Sequence, residues 1–162
     1  MPQPPLPVPS ALHVLVTSVQ SDAHTWNLVF LQLTVEELGH RVTNLGPCVP
    51  EALLAAECVR LRPDLVVVSS VNGHGFADGL RLIAGLRSRA ELAGLPVVIG
   101  GKLGVNGEEG AQERGAALVE AGFDAVFGEE TVHLAGTGAL PAADGSRLFR
   151  SYLAALPAGL PC

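Results

Sequence analysis

From Leu12 onward, short apolar runs rich in β-branched residues alternate with stretches whose apolar residues recur every three or four positions. "LHVLVTS" has the pattern of a strand, Leu28, Leu31, Val35 and Leu38 then fall on one helical face, and "RVTNLG" is a strand again. "PEALLAAECVRL" follows as a helix with Pro50 at its first turn, "DLVVVSS" as a strand apolar on both faces, and "DGLRLIAGLRSRAEL" as a third helix. "LPVVIGG", "EEGAQERGAALVEAG" and "FDAVFG" complete five strand and helix alternations. Such alternation predicts an α/β fold of the flavodoxin-like (Rossmann-like) kind, a doubly wound five-stranded parallel sheet with helices on both faces.

Past Thr131 the pattern fades. "AGTGALPAADGSRLFRSYLAALPAGLPC" holds one short helix, Arg147 to Ala155, in Gly/Pro-rich surroundings. Residues 1–10 carry five prolines, which remove backbone donors and favour extended geometry. The expected organisation is a disordered arm over 1–10, one domain over 11–134 and an appendage over 135–162.

Composition narrows the classes of function. The chain has 162 residues, 48% hydrophobic and 16% charged, with a net charge of -6. That balance fits a compact domain and argues against a partner such as nucleic acid, whose phosphates need a basic surface. Three cysteines, Cys48, Cys58 and Cys162, form no C-x-x-C pair, and their odd number suits free thiols in a reducing compartment. No apolar run approaches the roughly 20 residues that span a bilayer, and the start lacks the pattern of a signal peptide. A cytoplasmic protein with no membrane partner is expected.

In an open parallel sheet, ligands bind at the carboxyl ends of the strands. Those ends carry "SVQSDAHTWN", "NLGPCVP", "SSVNGHG", "GGKLGVNGEEG" and "FGEETVH". There is no G-x-G-x-x-G after the first strand and no G-x-x-x-x-G-K-[ST] anywhere, so nucleotide phosphates are not the obvious ligand. Nor does the third strand end on an acceptor carboxylate, as a phospho-receiver would; it ends on Ser69 and Ser70.

The stretch "SDAHTWN" raises a sharper question. Asp22 alone reads as an N-cap for the helix that follows, and a histidine alone as a surface residue. Two residues apart they form a D-x-H pair, in which a carboxylate can fix the tautomer of an imidazole and raise the basicity of its other nitrogen. His13, His40, His74 and His133 do not join the cysteines at zinc-binding spacing. One histidine is enough only where the metal arrives in a macrocycle that fills its equatorial positions, as in haem and corrinoids.

Asp22-Ala23-His24, Ser69 to Val71 and Gly100-Gly101 resemble, in order and spacing, the D-x-H-x-x-G, S-x-L and G-G motifs of cobalamin-binding domains. The resemblance runs from about Leu12 to Thr131. Within that superfamily it is nearest to the free-standing cobalamin-binding subunit of glutamate mutase (methylaspartate mutase), and "SSVNGHG" and "VVIGGKLGV" extend it.

The resemblance implies a cofactor, adenosylcobalamin, with His24 as lower axial ligand to cobalt and Asp22 bonded to its other nitrogen. The displaced nucleotide tail would enter a slot between sheet and helices. Ser21, Ala23, Asn27, Ser69, Val71, Gly73, Gly100, Gly101, Phe127 and Gly128 would complete the cofactor site. Small residues at adjacent strand ends leave room for a flat base; taken alone, Gly100-Gly101 also fits a tight turn, and Ser69 and Ser70 fit ligand-free hydrogen bonding at a strand end.

Five positions depart from the pattern. Asn27 replaces the motif glycine and would suit a position of positive φ. Trp26 precedes it, either packed in the core or an interface or set against the corrin. Val71 stands for leucine, and Glu129 and Glu130 lie close to where the tail phosphate would run.

The implied activity is that of an isomerase, a carbon-skeleton mutase. Cobalt-carbon homolysis would start a radical rearrangement in a partner, a large TIM-barrel subunit that holds most of the amino-acid substrate. This chain would be inactive alone, since Lys102 and Arg41 are its only candidates for strand-end cations to clamp substrate carboxylates. A corrinoid carrier or cobalamin-responsive regulator would use the same pocket without the rearrangement. A domain that has lost its cofactor and serves as a scaffold is the third reading.

Overall fold

The computed structural model describes residues 11–105, 109–129, 131–141 and 145–156. The expected arm at 1–10, Glu130 and Cys162 lie outside these. The described chain runs β1 (His13–Ser18), α1 (Trp26–Glu37), β2 (Arg41–Asn44), α2 (Glu51–Leu61), β3 (Leu65–Ser70), α3 (Gly75–Arg87), β4 (Val97–Gly101), α4 (Ala111–Ala121), β5 (Ala125–Phe127), β6 (Thr131–Leu134), β7 (Gly138–Pro141) and α5 (Gly145–Ala155).

One sheet takes the strands in the order β2-β1-β3-β4-β5-β6-β7. β1 to β5 pair in parallel, as the alternation predicts, whereas β6 and β7 add an antiparallel edge. The period of two along each strand divides the core. Leu15, Val66, Val68, Val97, Ile99 and Val126 face α2, α3 and α4, which contribute Leu54, Ile83 and Leu118 among others. Val14, Val16, Leu65, Val67, Val98 and Ala125 face α1 and α5 through Leu28, Val35, Phe149 and Leu153. β3 is buried along its whole length, as a strand covered on both faces must be.

Residues 135–141 and 145–156, expected in an appendage, supply β7 and α5. β7 is exposed throughout, but Phe149 and Leu153 of α5 enter the core. The boundary expected after residue 134 therefore falls inside the β6–β7 hairpin. α1 also departs from its expected face: Leu28, Thr34 and Val35 are buried, while Leu38 lies at the surface. Trp26, Val29, Phe30 and Leu33 are exposed, and Trp26 at 83% exposure is no core residue.

Candidate functional site

The switch of direction between β1 and β3 opens the carboxyl edge of the sheet, and the loop from β1 to α1 crosses it. Backbone bonds fix that loop: Val19 N–H donates to the Ser69 carbonyl at 3.1 Å, Asp22 N–H to the Val19 carbonyl at 3.0 Å, and Cys48 N–H to the Asp22 carbonyl at 2.9 Å. The Ser18 hydroxyl also donates to the Asp22 carbonyl, at 3.1 Å.

The Asp22 side chain is completely buried. Its Oδ2 accepts the Val71 N–H at 2.6 Å. Its Oδ1 accepts the His24 N–H at 3.0 Å and lies 2.6 Å from His24 Nδ1. Burial pushes this carboxyl up, but the backbone bonds from Val71 and His24 and the bond from the His24 ring outweigh it and hold Asp22 below the ordinary carboxylate range. Asp22 is therefore a carboxylate tying the D-x-H loop to the end of β3, and α1 is capped at Thr25 without a side-chain bond, so the N-cap reading of Asp22 falls.

An ionised Asp22 only accepts, so in the neutral ring the proton sits on His24 Nδ1 and the lone pair on Nε2. Nε2 takes no hydrogen bond among the described residues, and the His24 side chain is 62% exposed. The arrangement is a braced imidazole presenting Nε2 outward, the form in which histidine binds a metal. No group of three metal-ligating side chains gathers among the described residues. That donor set suits a metal brought in its own macrocycle.

Beside the loop, a slot of about 310 Å³ opens between the sheet and helices α1 and α5. Val67, Val98, Leu31, Phe127 and Phe149 make its apolar walls, with Asn27, Thr34, Ser69 and Ser146 as its polar points. Phe127 meets Phe149 edge-on, with centroids 5.5 Å apart. Apolar walls with few polar points suit a flat aromatic group.

The two serines part company because successive strand residues face opposite ways. Ser69 lines the slot and accepts a hydrogen bond from Asn27 Nδ2 at 2.5 Å. Ser70 donates to the Lys102 carbonyl at 3.2 Å and so joins β3 to the end of β4. Gly100 and Gly101 are the last residues of β4, not a separate tight turn, and both line the slot. A Cβ on Gly100 would stand 3.0 Å from the Phe127 carbonyl oxygen, and Gly101 has φ +101°.

Asp22, His24, Asn27, Ser69, Val71, Gly100, Gly101 and Phe127 thus come together around the loop and slot. Ala23 is exposed in the loop. Ser21 turns its hydroxyl toward α3, donating to Asp78 at 2.5 Å and accepting from Asn72 at 2.9 Å. Gly73 packs beside Val105 outside the slot. Gly128 borders a separate cavity of about 40 Å³ with Arg114 and His133 on the α4 side of the sheet.

Two expectations are overturned. Asn27 lies in the first turn of α1 and is not among the residues of positive φ, so it does not replace glycine for backbone freedom. Arg41 opens β2 opposite His13, at the other edge of the sheet, and is no strand-end cation of this site. Sequence reasoning missed the α5 contribution to the slot, Ser146 and Phe149. The apolar spacing of Phe149 and Leu153 was its only signal.

Comparisons with known proteins agree with this geometry. The model of the B12 binding domain matches residues 12–136. The glutamate mutase sigma subunit of Halobacterium salinarum is 32% identical over 120 residues, 73% of this chain and 77% of that subunit. The HTH-type transcriptional repressor CarA of Myxococcus xanthus is 33% identical over 96 residues, 59% of this chain but 32% of the repressor. Among solved structures, a cobalamin-binding protein from Desulfitobacterium hafniense shares the fold with a TM-score of 0.60 at 20% identity, over 88% of this chain and 59% of its own.

Proposed function

The chain belongs to the B12 binding domain family, and from that premise we propose that it is the adenosylcobalamin-holding subunit of a mutase of the glutamate mutase type. His24 Nε2 would ligate the cobalt, and Asn27, Ser69, Gly100 and Phe127 would hold the nucleotide tail in the slot. The observation that carries this reading is the 2.6 Å contact between His24 Nδ1 and the buried Asp22 carboxylate, which turns Nε2, without a hydrogen bond among the described residues, outward at the carboxyl edge of the sheet.

The cofactor supplies the radical chemistry, and this chain binds, orients and tunes it. A negative Asp22 increases electron donation through the imidazole and fixes the ring plane. The apolar slot holds the tail away from the metal. A partner, a TIM-barrel subunit, closes the other face of the corrin and clamps the amino-acid substrate, a task for which this chain brings few cations to the site. The chain is inactive without it.

Electron paramagnetic resonance of the cob(II)alamin complex tests the ligand. Protein labelled with nitrogen-15 histidine is expected to show a histidine-derived coupling that His24→Ala removes. A coupling that persists in His24→Ala would move the ligand to another histidine, first to the exposed His74 at the start of α3. The likeness to a repressor favours a second reading, a corrinoid-responsive regulator or carrier. Turnover of glutamate on adding a mutase large subunit upholds the first reading, and its absence with a subunit proven active elsewhere upholds the second.

A further inference from the structure

The motif position at which cobalamin-binding domains carry glycine is Asn27, and its backbone here is helical, so the side chain must answer for its presence. That side chain is on the wall of the slot. One end of the amide is in use, with Nδ2 donating to Ser69 Oγ at 2.5 Å. The other end is not: Oδ1 is buried and has no hydrogen-bond partner among the described residues. A buried amide oxygen without a donor is costly, and native structures rarely keep one without a reason. An acceptor left open on the wall of a binding slot has such a reason if the ligand brings the donor.

We propose that Asn27 recognises the nucleotide tail of the corrinoid, accepting a hydrogen bond from an N–H or O–H group on it. The inference rests on the corrinoid reading above. Glycine at this position would only leave room, whereas asparagine adds a polar contact held in place by Ser69. Two parts of a tail can supply the donor. The ribose carries hydroxyl groups whatever the base. Among bases, dimethylbenzimidazole bears methyl groups and no amino group, while adenine bears an exocyclic amine.

Absorbance titrations of the full chain with three corrinoids test the proposal: cobalamin, the cobamide whose tail base is adenine, and cobinamide, which has no nucleotide tail. Asn27→Ala and Asn27→Gly are each expected to weaken binding of a tail-bearing corrinoid about tenfold or more, the scale of one lost buried hydrogen bond, and to leave cobinamide within about twofold. Equal losses for the two tails would identify the ribose hydroxyl as donor, and a loss confined to the adenine tail would identify the amine; either upholds the role of Asn27. Unchanged or tighter binding of both tails in both variants would overturn it. So would a loss that extends equally to cobinamide, because Asn27 would then act through the His24 loop or through folding. A fold defect would also fall harder on glycine than on alanine, since glycine weakens the first turn of α1. If the unsubstituted chain, folded by circular dichroism, binds none of the three, the corrinoid reading itself fails, a result distinct from any of these.

Discussion

Asp22 spends both carboxylate oxygens inside the protein, one on the Val71 N–H and one on the His24 backbone and ring. Its proposed function and its contribution to stability therefore rest on the same bonds. Because its pKa is depressed on folding, that stabilisation is complete above the unfolded value of about 3.9 and is lost as pH falls through the lower folded value. Asp22→Asn removes the charge and should cost about 1.5–3 kcal/mol at pH 7, the usual range for hydrogen bonds to a charged group. It should also weaken corrinoid binding roughly ten- to a hundredfold, as loss of a carboxylate behind a ligating histidine does. Thermal melts of both proteins from pH 7 down to pH 2.5 check the linkage: the gap in midpoint should narrow in acid, and a constant gap would refute it. The D-x-H pair was legible in the sequence because its geometry is local, two residues apart on one loop. Asn27 was misread because a letter does not disclose whether its backbone is left-handed or helical, and the orphaned Oδ1 depends on Ser69, 42 positions away.

At the scale of elements, the five parallel strands and α2 to α4 follow from apolar runs and their spacing, since each buries its own pattern. α1 shows the limit of that reasoning. Its apolar residues surround the helix, so periodicity could not say which ones meet the sheet, and Leu38 and Leu33 stayed outside. The antiparallel pair β6 and β7 was missed because β7 is exposed throughout, with no apolar run to announce it. The end of β4 was legible as Gly-Gly, yet the two glycines do different work. Gly101 needs its left-handed backbone, and a Cβ there would stand 2.1 Å from the Ser70 carbonyl oxygen. Gly100 has ordinary φ, and its Cβ would meet the Phe127 carbonyl oxygen at 3.0 Å. Gly101→Ala should therefore destabilise the fold by on the order of 3 kcal/mol or more, whereas Gly100→Ala should cost about 1–2 kcal/mol and show its main effect as weaker binding in the narrowed slot. Urea unfolding of both variants, followed by cobalamin titration of whichever folds, checks the division. Equal destabilisation would show that the two positions have one structural role.

On the scale of the whole molecule, the sheet needs cover on both faces, and the two faces are served unequally. Among the described residues, α2, α3 and α4 cover one side, and α1 shares the other with α5. A chain stopping at the expected boundary, residue 134, would leave Phe127 without the Phe149 and Tyr152 rings that meet it edge-on. α5 closes that gap with Phe149 and Leu153, and the same helix end supplies Gly145, Ser146 and Phe149 to the slot. If the slot takes the proposed tail, ligand binding and the stability of this layer are coupled through one element, since a tail bound to the native slot would hold α5 in place. Leu153 is 1% exposed and lies one turn beyond Phe149 without being among the residues that line the slot. Leu153→Ala should cost about 2–5 kcal/mol, the range for a large-to-small change in a packed core. It should weaken cobalamin binding only as far as α5 becomes mobile, so saturating cobalamin should recover part of the loss in thermal midpoint. A detachable appendage would behave otherwise: Leu153→Ala would then unfold at the midpoint of the unsubstituted chain, with and without the corrinoid, and the calorimetric trace that showed it would return α5 to the periphery.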